Sequence, residues 1–165
     1  VNNKTLYLIR HAKSSWHNDL RDHDRPINER GIHDASMMGM RLVHQGVAPE
    51  IIISSSATRA QMTSQLIAQE IGYKKEAIKV NPEIYGVSSK GLIESIHQFD
   101  NTLNKIMLVG HNPVITETVN WLTGSKIENI PTCGVTILGV SSSSSWRDFS
   151  KESVDLIHYD YPKNG

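Results

Sequence analysis

Three short apolar runs in this chain each end in residues that can do chemistry. Thr5-Leu6-Tyr7-Leu8-Ile9 leads into Arg10-His11-Ala12-Lys13-Ser14-Ser15-Trp16. Ile51-Ile52-Ile53 leads into Ser54-Ser55-Ser56-Ala57-Thr58-Arg59-Ala60, and Ile106-Met107-Leu108-Val109 into Gly110-His111-Asn112-Pro113. If the runs are buried parallel strands, their carboxyl ends share one edge, where open α/β sheets bind ligands. Two arginines and two histidines then arrive together. Guanidinium forks match phosphate oxygens in pairs, so converging arginines imply a dianion, most simply a phosphoryl group. Two histidines supply a nucleophile and a proton donor. Together they suggest phosphoryl transfer through a phosphohistidine, a step in which positioning and charge neutralisation do most of the work. A lone His or Arg after a strand is most often a surface or capping residue. Four of them at three strand ends is a much rarer coincidence.

The elements that must position these residues follow from periodicity. Asn28 to Gln45 reads as a helix with Ala35, Met38 and Leu42 on one face and Gly46 as its stop. Thr58 to Ile71 places Ala60, Thr63, Ile67 and Ile71 on one side, with Gly72 after it. Ser88 to Phe99 points Leu92, Ile93, Ile96 and Phe99 inward, and Pro113 to Leu122 opens on a proline suited to a first helical turn. Further strands are expected at Ala77 to Val80, Val135 to Val140 and Val154 to Tyr159. Strand and helix alternate, which implies a three-layer α/β/α arrangement around a mostly parallel sheet. Residues 1–165 read as a single domain. Ser141 to Ser145 is expected to be a solvated turn, and Tyr161 to Gly165 a frayed tail.

Composition narrows the classes of function. The 165 residues carry 17 Lys and Arg against 17 Asp and Glu, a balance that argues against a general nucleic-acid binder. The chain is 38% hydrophobic, which fits a globular protein, and a chain of this size buries about 70% of its unfolded surface without staples. The one cysteine, Cys133, excludes an intrachain disulfide and a cysteine-based zinc site. The longest stretch without Asp, Glu, Lys or Arg, Asn129 to Trp146, holds a proline, two glycines and five consecutive serines and cannot be a spanning helix. Val1-Asn2-Asn3-Lys4 lacks the form of a signal peptide, so the cytoplasm is the expected location. The remaining histidines, His17, His23, His33, His44, His97 and His158, show no metal-binding spacing. There is no P-loop, G-x-S-x-G or dinucleotide fingerprint. No metal, cofactor or membrane contact is expected.

The motifs also resemble a known family. Leu8-Ile9-Arg10-His11-Ala12 resembles the Arg-His-Gly signature of the histidine phosphatase superfamily, the phosphoglycerate-mutase-like group. Ser54 to Thr63 is similar to its Ser-x-x-x-Arg-Ala-x-x-Thr segment, and Val109-Gly110-His111-Asn112-Pro113 to its late Gly-His segment. Arg10 to Trp16 followed by Asp24-Arg25-Pro26-Ile27-Asn28-Glu29-Arg30-Gly31 resembles the small SixA-type phosphohistidine phosphatases. The resemblance runs from Leu6 to about Thr123. It implies a phosphoglycerate-mutase-like fold with His11 as nucleophile, Arg10 and Arg59 on the phosphoryl oxygens, and His111 opposite. Arg25 and Ser14 would add contacts and Trp16 would wall the pocket, although each fits a structural role equally well.

Two departures bear on substrate. Lys13 stands where many larger members have Glu, and His17 near their Asn. The acidic proton donor of those members has only Glu83 as a counterpart, and the insertion over the site is short. Expelling an alkoxide needs a strong proton donor, whereas neutral imidazole leaves readily once protonated near its pKa of about 6.5. An open site with a weak acid therefore suits phosphohistidine on a phosphotransfer protein. A small-molecule phosphomonoesterase acting on a phosphorylated metabolite is the alternative, and a non-catalytic module binding phosphorylated proteins is the third.

Overall fold

The computed structural model describes residues 2–16 and 19–165. Its strands are β1 (Asn2–Arg10), β2 (Ile51–Ser55), β3 (Lys79–Asn81), β4 (Lys105–Gly110), β5 (Val135–Ser143) and β6 (Asp155–Asp160). Its α-helices are α1 (Glu29–His44), α2 (Thr58–Ile71), α3 (Ser89–His97) and α4 (Val114–Thr123). The strands form one sheet in the order β3-β2-β4-β1-β5-β6. The first four are parallel, while β5 and β6 are antiparallel to their neighbours. Leu8 lies opposite Leu108 and Arg10 opposite Gly110, so the chain segments after β1 and β4 emerge side by side.

Period-two alternation along β1 divides the core. Tyr7 and Ile9 face the layer that holds Ala35, Met38 and Leu42 of α1 and Ala60 and Ile67 of α2. Leu6 and Leu8 face the layer that holds Leu92 and Ile96 of α3 and Ile115 and Val119 of α4. Leu8 is fully buried, and its truncation to Ala costs about 2–5 kcal/mol. The Asn28 side chain caps α1 by accepting from the Gly31 amide, and Ser88 caps α3 the same way at Gly91. Gly72 ends α2 and Gly124 ends α4 in the left-handed conformation, at φ 77° and 73°.

Gly31 is where α1 meets the segment after β1. A Cβ there would stand 2.3 Å from the Lys13 carbonyl oxygen, so only glycine lets the helix approach. The Asn28 amide donates to that same oxygen at 2.9 Å, and the Ser15 amide donates to Pro26 O at 2.9 Å. Ser14 pairs with Ile27 as an isolated bridge. These bonds close the base of a strap, of which residues 14–16 and 19–27 are described.

Two sequence expectations change. Ser141 to Ser145 is no free turn, because β5 continues through Ser143, which is buried with its hydroxyl 2.7 Å from an Asp148 carboxylate oxygen. The tail beyond β6 is tied down: Arg41 donates to the carbonyls of Tyr161, Pro162 and Asn164 at 3.1, 3.1 and 3.3 Å. Local composition gave no sign of either partner, since Arg41 lies 120 residues from Tyr161.

Candidate active site

β1 delivers Arg10 and His11 to the carboxyl edge of the sheet. The His11 amide donates to Gly110 O at 3.0 Å, and its carbonyl accepts from the Cys133 amide at 3.0 Å. The ring donates from Nδ1 to the Ala12 carbonyl at 2.7 Å, which leaves the lone pair on Nε2. Behind it, the Ala12 amide donates to Thr63 Oγ1 at 2.9 Å, fastening the segment to α2. Burial, followed by the charges of His111, Arg59 and Arg10, lowers the His11 pKa from 6.5 to about 3, so the ring is neutral at physiological pH.

His111 follows β4. Its ring lies 5.2 Å from that of His11, centroid to centroid, and its Nε2 is 2.7 Å from Ser55 Oγ at the end of β2. Burial and the Arg59 charge bring its pKa down to about 4. Arg59, in the first turn of α2, is buried, and Arg10 donates from Nη1 to Ile130 O at 2.9 Å. Three buried nitrogens of this cluster, Arg10 Nε, Arg59 Nε and His111 Nδ1, have no hydrogen-bond partner in the structure.

The strap brings Asp22 to these cations. Asp22 Oδ2 accepts from Arg59 Nη2 at 3.1 Å and from the Tyr85 hydroxyl at 2.6 Å. Its Oδ1 accepts from Arg25 Nη2 at 3.0 Å and Nε at 3.2 Å. Tyr85, Arg25 and Arg59 hold this carboxyl well below the usual carboxylate range. Arg25 also donates to Ser14 Oγ at 2.7 Å and to Ser15 O at 3.0 Å, and its guanidinium stacks 3.9 Å from the Trp16 ring. That indole is 82% exposed. Asp22, Arg59, Tyr85 and His111 line a cleft of about 380 Å³.

The structure therefore gathers Arg10, His11, Arg59 and His111, with Arg25, Ser14 and Trp16 joined to them through the strap. Glu83 is not gathered: it is exposed and lines a different groove, between β2 and α3. The 3-10 turn Pro82–Ile84 buries Ile84, and it is Tyr85 that reaches Asp22. Lys13 is exposed, and His17 lies outside the described residues. Asp22, Tyr85 and Ser55 escaped sequence reasoning. The one signal for Asp22 was an acidic residue three positions before Arg25, the reach of a single helical turn. Among the described residues, no three His, Cys, Asp or Glu side chains come together as a metal set. No helix among them is long and apolar enough to cross a membrane.

Fold and cluster define a class: three-layer α/β proteins with paired histidines and converging arginines at the carboxyl edge of the sheet. The family profile of the histidine phosphatase superfamily (branch 1) matches residues 6–86. An uncharacterized chloroplastic protein of Arabidopsis thaliana is 32% identical over 88% of this chain and 70% of its own length. The crystal structure named "putative phosphohistidine phosphatase SixA" from Agrobacterium tumefaciens superposes with a TM-score of 0.80 at 26% identity, covering 96% of this chain and 98% of that one. A structure of the same name from Nakamurella multipartitia shares the fold, with a TM-score of 0.83 at 21% identity over 99% and 98% of the two chains. This chain belongs to the histidine phosphatase superfamily, whose members are phosphatases or mutases.

Proposed function

We propose that the chain is a phosphatase that works through a covalent phosphohistidine on His11 and takes its phosphoryl group from phosphohistidine on a phosphotransfer protein. The observation that carries this reading is the neutral His11 ring, fixed by its Nδ1–H bond to Ala12 O among Arg10, Arg59 and His111. Nε2 attacks phosphorus while the P–N bond to the substrate imidazole breaks. The electron pair of that bond returns to the departing nitrogen, and the proton already on the other ring nitrogen lets the imidazole leave neutral. Arg10 and Arg59 hold the phosphoryl oxygens. Ser55 accepts from the Ala57 amide and can donate its hydroxyl proton to His111 Nε2, which places the His111 proton on Nδ1 for a phosphoryl oxygen.

In the second step water attacks the phosphorylated His11. The Nε2–P bond breaks, its pair returns to Nε2, and inorganic phosphate leaves. Asp22 takes the proton from the attacking water. Its own hold on Arg25 and Arg59 must first yield to the incoming phosphoryl group, whose charge raises the carboxylate's proton affinity. Asp22 enters the first step ionised, with no proton to give a departing alkoxide. This favours phosphohistidine over a phosphate ester. Once Asp22 is displaced, Arg25 and Ser14 can reach a third oxygen, and Trp16 can flank the leaving group.

The test is turnover of a phosphohistidine-bearing protein domain beside an aryl phosphate, with wild type and His11→Ala. Faster turnover of the phosphohistidine substrate is expected, with loss of about 10⁴-fold or more in the variant. Faster turnover of the ester would move the assignment to a small-molecule phosphomonoesterase. Undiminished activity in His11→Ala would remove the nucleophile from the scheme.

A further inference from the structure

Beside the segment that follows His11 lies a second cavity of about 560 Å³ that the proposed chemistry does not use. Its walls come from segments that all end at the carboxyl edge of β1. Lys13 follows β1 by three residues, Pro131 precedes β5, Tyr161 to Lys163 follow β6, and Arg30 stands in the first turn of α1. Lys13 is two residues from the nucleophile, a span of at most about 7 Å. Thr132, next to the Cys133 whose amide bonds the His11 carbonyl, lines it too, so the cavity lies against the segment that carries the nucleophile.

Three cations border it: Lys13, Arg30 and Lys163. The one acid in its lining, Asp34, is buried and sits 3.2 Å from Arg30 Nε, which fixes the guanidinium and leaves a net positive mouth. Lys163 is held in place through its backbone. Arg41 binds the carbonyls on either side of it, at Pro162 and Asn164, and the Asn164 amide donates to Tyr161 O at 2.9 Å. The rings of Pro131, Tyr161 and Pro162 form apolar wall between the charges.

We propose that this cavity is a second substrate-recognition site, which takes an acidic side chain, glutamate above all, carried beside the phosphohistidine of a protein substrate. The proline and tyrosine rings receive the methylene stem and the three cations receive the carboxylate. A free phosphate fits less well. Lys13 and Lys163 are exposed point charges, without the guanidinium forks that the half-buried Arg10 and the buried Arg59 offer at the phosphoryl site. Exposed cations of this kind steer and select a charged partner more than they grip it. The inference rests on the proposed phosphohistidine phosphatase activity.

Two phosphohistidine peptides, one with glutamates flanking the phosphohistidine and one with glutamines there, test it with wild type, Lys163→Glu and Lys163→Arg. Lys163→Glu is expected to raise KM for the glutamate peptide about five- to tenfold with kcat unchanged. It should leave the glutamine peptide unaffected, and Lys163→Arg should behave as wild type. Equal KM values for both peptides in Lys163→Glu and wild type alike would overturn the proposal, as would an equal rise on both. If wild type turns over neither peptide, the phosphatase reading fails, but direct binding of the unphosphorylated peptides still decides this one. Tighter binding of the glutamate peptide by wild type than by Lys163→Glu supports the site, and equal binding removes it.

Discussion

His11, Arg59 and His111 meet Asp22, Arg25 and Trp16 at one edge of the sheet, but the two groups are held by different means. The first group sits on or just beyond strand ends, its backbone locked into the ladder and the first turn of α2. The second rides on the strap, which is closed at its base by backbone bonds and held over the cleft by the half-exposed Asp22, whose carboxylate meets Arg59 and whose carbonyl accepts from Arg59 Nη1 at 2.7 Å, with a further bond between His23 and Ser56 Oγ at 2.8 Å. Buried geometry can be set by packing alone. The rim is set by charge, and a phosphoryl group competes for that same charge. The reacting groups are therefore pre-organised, while the rim is built to exchange partners.

Four measurements sharpen or break this contrast. Arg59→Ala removes a buried cation from the strand-end cluster and a ligand of Asp22. Its kcat/KM is expected to fall about 10²–10³-fold, and a loss under tenfold would mean that the strand-end group is not the charge-neutralising one. Acid should act on the same cluster. His11 and His111 stay neutral in the fold, with pKa values of about 3 and about 4, whereas the unfolded chain binds protons on both below about 6.5. Their contribution to stability is thus complete above pH 6.5 and lost as pH falls toward 4. The slope is about 1.4 kcal/mol per pH unit for each histidine. Asp22, whose pKa is depressed, loses its own contribution only below about pH 4, so the two windows separate. Urea unfolding between pH 7 and 4 reads the slope. His11→Ala should halve it, and an unchanged slope would show that burial of this ring does not govern acid stability.

Asp22→Asn tests the rim. Losing the carboxylate charge loosens its hold on Arg25 and Arg59, which keep their bonds to Ser14, Ser15 and the residue-22 carbonyl, so inorganic phosphate should inhibit more tightly, by about threefold, while kcat falls about tenfold for want of a proton acceptor. Weaker phosphate inhibition would mean that Asp22 supports the anion site and does not compete for it. Trp16→Ala, the smallest effect, should raise KM for a phosphohistidine protein by about threefold and leave an aryl phosphate unaffected. An equal effect on both would make Trp16 a prop for Arg25 and no part of the substrate surface.

The same contrast explains what the sequence reveals. Residues 6–11, 51–60 and 106–111 are legible because buried strands have an apolar signature, and the residue after such a strand has few places to go. The turn of α1 that presents Ala35, Met38 and Leu42 is legible from period alone. The strap has no period. Asp22 gains its meaning from Arg59, 37 positions away, and Tyr85, 63 positions away, and no local pattern announces such a meeting. Glu83 and Tyr85 sit two positions apart in and after one 3-10 turn, and nothing local in the sequence tells which of them reaches Asp22. The clamp of Arg41 on the tail and the continuation of β5 through Ser143 belong to the same category, long-range bonds between segments of unremarkable composition.

Cys133 donates its amide to the His11 carbonyl from a left-handed backbone position, at φ 59°, and its thiol is fully enclosed, with burial raising its pKa to about 12. A thiol in that state is inert to alkylating reagents while the fold is closed. Since it is the chain's one cysteine, any labelling of the protein reports opening at that spot and nowhere else. The floor beneath the nucleophile thus carries its own chemical clock. The labelling rate with and without phosphate would time how often the ground under His11 gives way, and whether an occupied site steadies it.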